Sequence, residues 1–164
     1  GHRNTIIGNT VLYGATAGKL FAAGEAGERF AVRNSGAQVV VEGCGANGCE
    51  YMTGGHAVIL GAVGDNFAAG MTGGMAFVLD EDGTLAAKLN PDSTITRPLD
   101  HPHYEALAQG LIREHAAETG SRLALAILAN WESYRERFVQ VVPTEILDKL
   151  DVPLDDHGAR IPAE

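Results

Sequence analysis

The feature that most constrains this chain is a repeat. From Gly36 the residues read GAQVVVEGCGANGCEYMTG, the next 19 from Gly55 read GHAVILGAVGDNFAAGMTG, and a third copy opens at Gly74 with GMAFVLDEDG. Without gaps, Gly36 falls on Gly55 and Gly74, Gly45 on Gly64 and Gly83, and Asn47 on Asn66. Met52-Thr53-Gly54 falls on Met71-Thr72-Gly73, and the triplet Val39-Val40-Val41 on Val58-Ile59-Leu60 and Phe77-Val78-Leu79. Upstream, AGKLFAAGEAGERFAVRNS from Ala17 fits the frame more loosely.

Within each copy a short apolar run meets a glycine-punctuated corner. The runs are too short for helices, and their Val, Ile and Phe content suits strands. Strands of about three residues between sharp corners cannot build a sandwich, but they can build one rung of a coil, stacking on the next as parallel strands about 4.8 Å apart. About four such rungs give a rod roughly 15–20 Å long, each burying the apolar triplet of its neighbour. Gly36, Gly45, Gly54, Gly55, Gly64, Gly73, Gly74 and Gly83 are expected as structural turn residues that supply positive-φ corners.

The repeat disarms the motifs inside it. Gly43, Gly45 and Gly48 spell G-x-G-x-x-G, but a dinucleotide loop opens a helix and has an acidic residue about 20 positions on. Here Cys49 to Gly55 is a poor helix, and the residue 20 past Gly48 is Ala68. Cys44 and Cys49, the only 2 cysteines, fall on Val63 and Ala68 and read as small apolar packers. A Cys-x4-Cys pair alone lacks the ligands of a tetrahedral metal site.

After Pro102 the character changes, with glycines giving way to charges and helix formers. Asp100 is placed to cap a helix with Pro102 in its first turn, running to about Glu118 with Leu107, Leu111, Ile112 and His115 on one face. Gly120 fits a left-handed helix end. Ser121 caps a second helix carrying Leu123, Ala124, Ile127, Leu128 and Trp131. The two are expected as an antiparallel pair against the coil or over its end, with Phe138–Val142 as a further extended piece. The expected division is a glycine-repeat β-helix over 3–99, a helical appendage over 100–142, and a short helix with a loose acidic tail over 143–164.

His101 and His103 form an H-x-H pair, with His115 further on, and read as a solvated helix start with His115 on a different turn. Asp80-Glu81-Asp82-Gly83 lacks the alternating ligands of a calcium loop and reads as an acidic turn. Spacing alone yields no catalytic, cofactor-binding or metal residue.

A net charge of −9, from 12 basic and 21 acidic residues, argues against nucleic acid and anionic membranes as partners. No apolar run approaches the roughly 20 residues of a membrane span, and no signal peptide is expected. Two cysteines in 164 residues point to a reducing compartment, the cytoplasm. Gly1 and His2 read as the remnant of a tag, which would make this a segment cut from something longer.

The strings GNTVLYGATAGKLFAAGEAGERFAVRNSGA, VVEGCGANGCEYMTGG and NFAAGMTGGMAFVLDEDG, with LIREHAAETGS and FVQVVP, closely resemble the C-terminal glycine-repeat (GXGXG) domain of the large (alpha) subunit of glutamate synthase, over about residues 4–142. A looser likeness is to a subunit of formylmethanofuran dehydrogenase. The resemblance implies a mostly β fold, a right-handed parallel β-helix followed by a helical segment. It implies a parent enzyme of nitrogen assimilation that makes two glutamates from glutamine, 2-oxoglutarate and reductant. It also implies FMN and an iron–sulfur cluster in other domains of that parent, and a structural place for this segment between the amidotransferase and FMN-binding domains. No catalytic residue carries over. The alternative is a separate non-catalytic β-helix subunit, or a metal-binding or assembly module of a related oxidoreductase complex.

Overall fold

A computed structural model describes residues 5–8 and 10–154 of the chain. Residues 155–164 of the expected loose tail, and the expected tag remnant at Gly1 and His2, lie outside the described residues. The first half winds as a coil through β1 (Thr5–Ile7), β2 (Lys19–Phe21), β3 (Glu25–Ala26), β4 (Ser35–Val41), β5 (Thr53–Ile59) and β6 (Gly73–Leu79). Strands β2, β4, β5 and β6 stack in that order and in parallel, and β1 pairs with β3 as the start of a second face. This is the parallel β-helix expected from the repeat.

The pitch is less regular than the gapless alignment. Leu20 pairs with Val39 and Ala57 with Ala76, both 19 positions on, but Val39 pairs with Ala57, 18 on. Strands β4, β5 and β6 are also 7 residues long rather than three. Between Ser35↔Gly54 and Gln38↔His56, Gly36 and Ala37 oppose Gly55 alone, and between Thr53↔Gly73 and His56↔Met75, Gly54 and Gly55 oppose Gly74 alone. β4 and β5 therefore each carry a bulge near the start, and Gly36, Gly54 and Gly55 lie inside them.

That register splits the apolar triplets. Val39, Val41, Ala57, Ile59, Ala76 and Val78 face the inside of the coil, with Phe30, Met52, Phe67 and Met71. Val40, Val58, Leu60, Phe77 and Leu79 face outward into a second core. Alternate residues of a strand point to opposite faces, so no whole triplet can lie inside. The outward members would each lose about 1.5–3 kcal/mol if left in water.

The helices cover them. α1 (Pro102–Thr119), α2 (Arg122–Ala129) and α3 (Trp131–Arg135) bring Tyr104, Ala108, Leu111, Ile112, Ala124, Ile127 and Trp131 onto the outward face. The cap of α1 is His101, whose ring nitrogen accepts the His103 N–H at 3.1 Å, rather than Asp100. Gly120 ends α1 at φ 67, and the Ser121 hydroxyl accepts the Ala124 N–H to start α2. The expected second helix breaks at Asn130, so Trp131 opens α3.

The end of the coil is closed by strands. β8 (Phe138–Pro143) pairs antiparallel with β6, and β7 (Thr94–Pro98) pairs antiparallel with β8. The extended piece expected at Phe138–Val142 thus becomes the cover of the last rung, while the helices lie along the side. A 3-10 turn follows at Thr144–Ile146.

Candidate functional site

The corner that carries the G-x-G-x-x-G stretch has counterparts on the other rungs and is built unlike a phosphate loop. Left-handed conformations recur at alternate residues: Thr10, Leu12 and Gly14; Arg29, Ala31 and Arg33; Asn47, Cys49 and Tyr51; Asn66, Ala68 and Gly70. Most of these are not glycine, contrary to the expectation that glycine supplies the positive-φ corners. Each non-glycine residue there costs on the order of 1 kcal/mol. Hydrogen bonds between rungs offset that cost. The outer positions donate to the following rung, Asn47 to Asp65 O at 2.8 Å and Tyr51 to Ala69 O at 2.9 Å. The middle position donates back, Cys49 to Phe30 O at 2.7 Å.

Several expected turn glycines answer a different demand. A Cβ on Gly36 would stand 2.1 Å from Thr16 O, on Gly54 2.2 Å from Ser35 O, and on Gly73 2.0 Å from Thr53 O. On Gly64 it would meet Ala46 N at 2.4 Å, and on Gly45 Glu28 N at 3.1 Å. These positions need absence of bulk where one rung crosses the next. Gly55, Gly74 and Gly83 do have positive φ.

Four N–H groups in and beside the G-x-G-x-x-G stretch, those of Cys44, Gly45, Asn47 and Cys49, are spent inside the fold. Cys44 donates to Ala62 O, Gly45 to Ala26 O and Gly27 O, and Asn47 and Cys49 as above. A phosphate needs such donors free, and no helix opens behind them. The segment therefore does not fit the phosphate of a flavin nucleotide at this loop. Cys44 and Cys49 are free thiols in the coil interior. Burial pushes Cys44 from its ordinary 9.0 up to about 12, and Cys49 well upward. Cys49 occupies the inward middle position that Ala31 and Ala68 fill on neighbouring rungs. No group of three or more His, Cys, Asp or Glu suited to a metal occurs among the described residues, so an iron–sulfur cluster does not fit here either.

The histidines part company. His101 is 4 % exposed, so the helix start is not the solvated one expected, while His103 is exposed. The Asp80 carboxylate accepts the N–H groups of Thr84 and Leu85 as a turn, and Glu81 pairs with Arg137.

His115 belongs to a cluster that spacing did not disclose. Its Nε2 lies 2.9 Å from Glu42 Oε2, and the Ser121 hydroxyl donates to the same oxygen at 2.5 Å. All three residues are buried. Glu42 follows the strand pair Val41↔Ile59, so its counterpart one rung on is Leu60, in the outward core with Leu79. One carboxylate thus interrupts a column of leucines. The gapless alignment set Glu42 against Gly61 and hid it; an 18-residue step at that rung would have revealed it.

Serine, histidine and carboxylate here are not in the order of a serine nucleophile, a histidine base and an orienting carboxylate. The carboxylate sits between the other two, and Ser121 Oγ already accepts the Ala124 N–H at 3.1 Å while its proton goes to Glu42. The cluster clasps α1 and the start of α2 to the coil. Beside it Ala23, Glu42, Thr119, Gly120, Ser121, Arg122 and Leu123 line a hollow of about 610 Å³. None of the described helices is long and apolar enough to cross a membrane.

A coil of bulged parallel strands, with glycines at the rung crossings and helices on its flank, defines the class: the chain belongs to the GXGXG motif family, whose model matches residues 1–144. The similar full-length proteins are glutamate synthases. The chain is 65% identical to the large chain of the NADPH glutamate synthase of Azospirillum brasilense over 93% of its own length and 10% of that protein's. It is 55% identical to ferredoxin-dependent glutamate synthase 1 of Arabidopsis thaliana over 85% of this chain and 9% of that one. With the NADH glutamate synthase of Schizosaccharomyces pombe it shares 51% over 87% of this chain and 7% of that one. The chain therefore spans a tenth or less of the length of these relatives.

Proposed function

We propose that this chain is the scaffolding domain of a glutamate synthase. That enzyme converts glutamine, 2-oxoglutarate and reductant into two glutamates. The domain holds the amidotransferase and FMN/iron–sulfur domains at a fixed separation and supplies no catalytic residue. The observation that carries this reading is the pairing of 65% identity to a large chain with a coil whose corner N–H groups are turned onto neighbouring rungs. Rungs tied by backbone hydrogen bonds around a packed interior resist bending, which suits a spacer. Relatives named for NADPH, ferredoxin and NADH all match, so choice of electron donor belongs to other parts of the parent. The parent works in the cytoplasm on this reading.

The test is direct. The purified segment is assayed for glutaminase and for glutamate synthase activity, beside the full-length enzyme. No turnover is expected from the segment. Glutamine hydrolysis by the segment alone would overturn the reading.

A further inference from the structure

One corner of the coil bears a strip of exposed side chains. Its outermost left-handed positions on successive rungs are Gly14, Arg33, Tyr51 and Gly70, at φ 69, 58, 54 and 66. Two residues beyond each stand Thr16, Ser35, Thr53 and Thr72, all exposed. Tyr13 and Tyr51 are 53% and 54% exposed on this strip. The Arg33 guanidinium lies 6.0 Å from the centre of the Tyr13 ring. The Tyr51 ring lies over the next rung, where a Cβ on Gly70 would come within 2.4 Å of it. Between them Arg33, Tyr51, Thr53, Gly70 and Thr72 line a hollow of about 350 Å³.

Glycine would serve at all four positions without strain. At Arg33 and Tyr51 the chain instead accepts a left-handed backbone costing about 1 kcal/mol each. Neither side chain gains burial in return, since both are exposed. Arg33 has no carboxylate within ion-pair distance among the described residues. Tyrosine and arginine are the residue types that dominate interface energies, and small polar neighbours leave the strip flat.

We infer that the strip from Tyr13 through Arg33 to Tyr51 and Thr72 is the surface that docks a neighbouring domain of the same long polypeptide. That domain covers both rings and offers a carboxylate to Arg33. The occupant follows from length and charge: the segment is only 10% of its 65%-identical relative, and the strip presents a cation with no carboxylate partner among the described residues, on a chain of net charge −9. The inference rests on the segment being a domain of a longer chain.

Hydroxyl-radical footprinting of the full-length protein tests it. Tyr13 and Tyr51 are expected to be oxidised roughly tenfold more slowly in the native protein than after denaturation, as aromatics at an interface core are. In the full-length Arg33→Gly, Tyr51→Gly variant, which relieves the strained backbone, Tyr13 is expected to regain its reactivity while the β-helix peptides keep theirs. Full reactivity of Tyr51 in the native long chain overturns the inference. So does protection that vanishes on dilution, which would point to a second copy of the chain. A native chain with the mass of this segment alone, by intact mass measurement, would instead sink the reading on which the inference rests.

Discussion

Glu42 and His115, 73 positions apart in sequence, meet at 2.9 Å in the interior, and the Ser121 hydroxyl closes on the same carboxylate oxygen. The contact fastens the flanking helices to the second rung of outward-facing strand residues. Removing one member of such a buried pair leaves the other without its partner. Glu42→Ala is expected to lower stability by about 3–5 kcal/mol. The double change Glu42→Leu, His115→Leu, which extends the column of Leu60 and Leu79, should recover most of that loss. Urea unfolding midpoints of the three proteins check this, and equal loss in single and double variants would refute it.

The glycines divide into classes that alanine separates. Gly73→Ala and Gly54→Ala place a methyl 2.0 and 2.2 Å from backbone oxygens of the preceding rung, where nothing can give way. A loss of about 3 kcal/mol or more is expected for each. Gly83→Ala meets open space at φ +70 and should cost about 1 kcal/mol. Gly110→Ala, also in open space but inside α1, should gain about 1 kcal/mol. Thermal unfolding of the series must preserve that order.

Position 49 tolerates small residues and rejects branched ones. Cys49→Ala copies Ala31 and Ala68 in the same left-handed column and should cost less than about 1.5 kcal/mol. Cys49→Val sets a β-branched residue at φ 57 and should cost more, although it fills the space better. Chemical denaturation of the two variants decides it.

Alkaline pH should destabilise the fold through Cys44. Its thiol ionises near 9.0 when unfolded and at about 12 when folded. A raised pKa stabilises the protonated folded form below 9, and that contribution is lost as pH climbs from 9 toward 12. Cys44→Val, matching Val63 one rung on, should flatten the decline. His56 acts at the other end, since burial and then His103 lower it from 6.5. The unfolded chain takes up that proton first, so stability should fall on acidification below about 6.5. Denaturant midpoints from pH 5 to 11 record both limbs.

The closing strand should also matter for association. β8 lies between β6 and β7, so Val141→Pro removes a ladder N–H whichever neighbour it serves. The uncovered edge of β6 should then pair with other chains. Light scattering at rising concentration is expected to show larger particles than the parent protein gives.

Much of the coil was legible because a stacked rung must repeat its own chemistry. The recurrence of Gly36, Gly55 and Gly74 with apolar runs behind them forced parallel stacking, and Ser121 and Gly120 marked a helix start and end by their conformational preferences alone. The left-handed columns were not legible. Arg29, Ala31, Arg33, Asn47, Cys49 and Tyr51 share a backbone shape without sharing a residue type, because that shape is held by hydrogen bonds to neighbouring rungs.

The sequence by itself determined that the chain coils and that two helices follow, since periodicity and caps act over a few residues. Tertiary structure decided the 18-residue step, the division of each apolar triplet between two cores, and the meeting of Glu42, His115 and Ser121. Those outcomes depend on which surfaces press together across the fold. A one-residue bulge, costing little locally, resets which side chains every later rung presents to them.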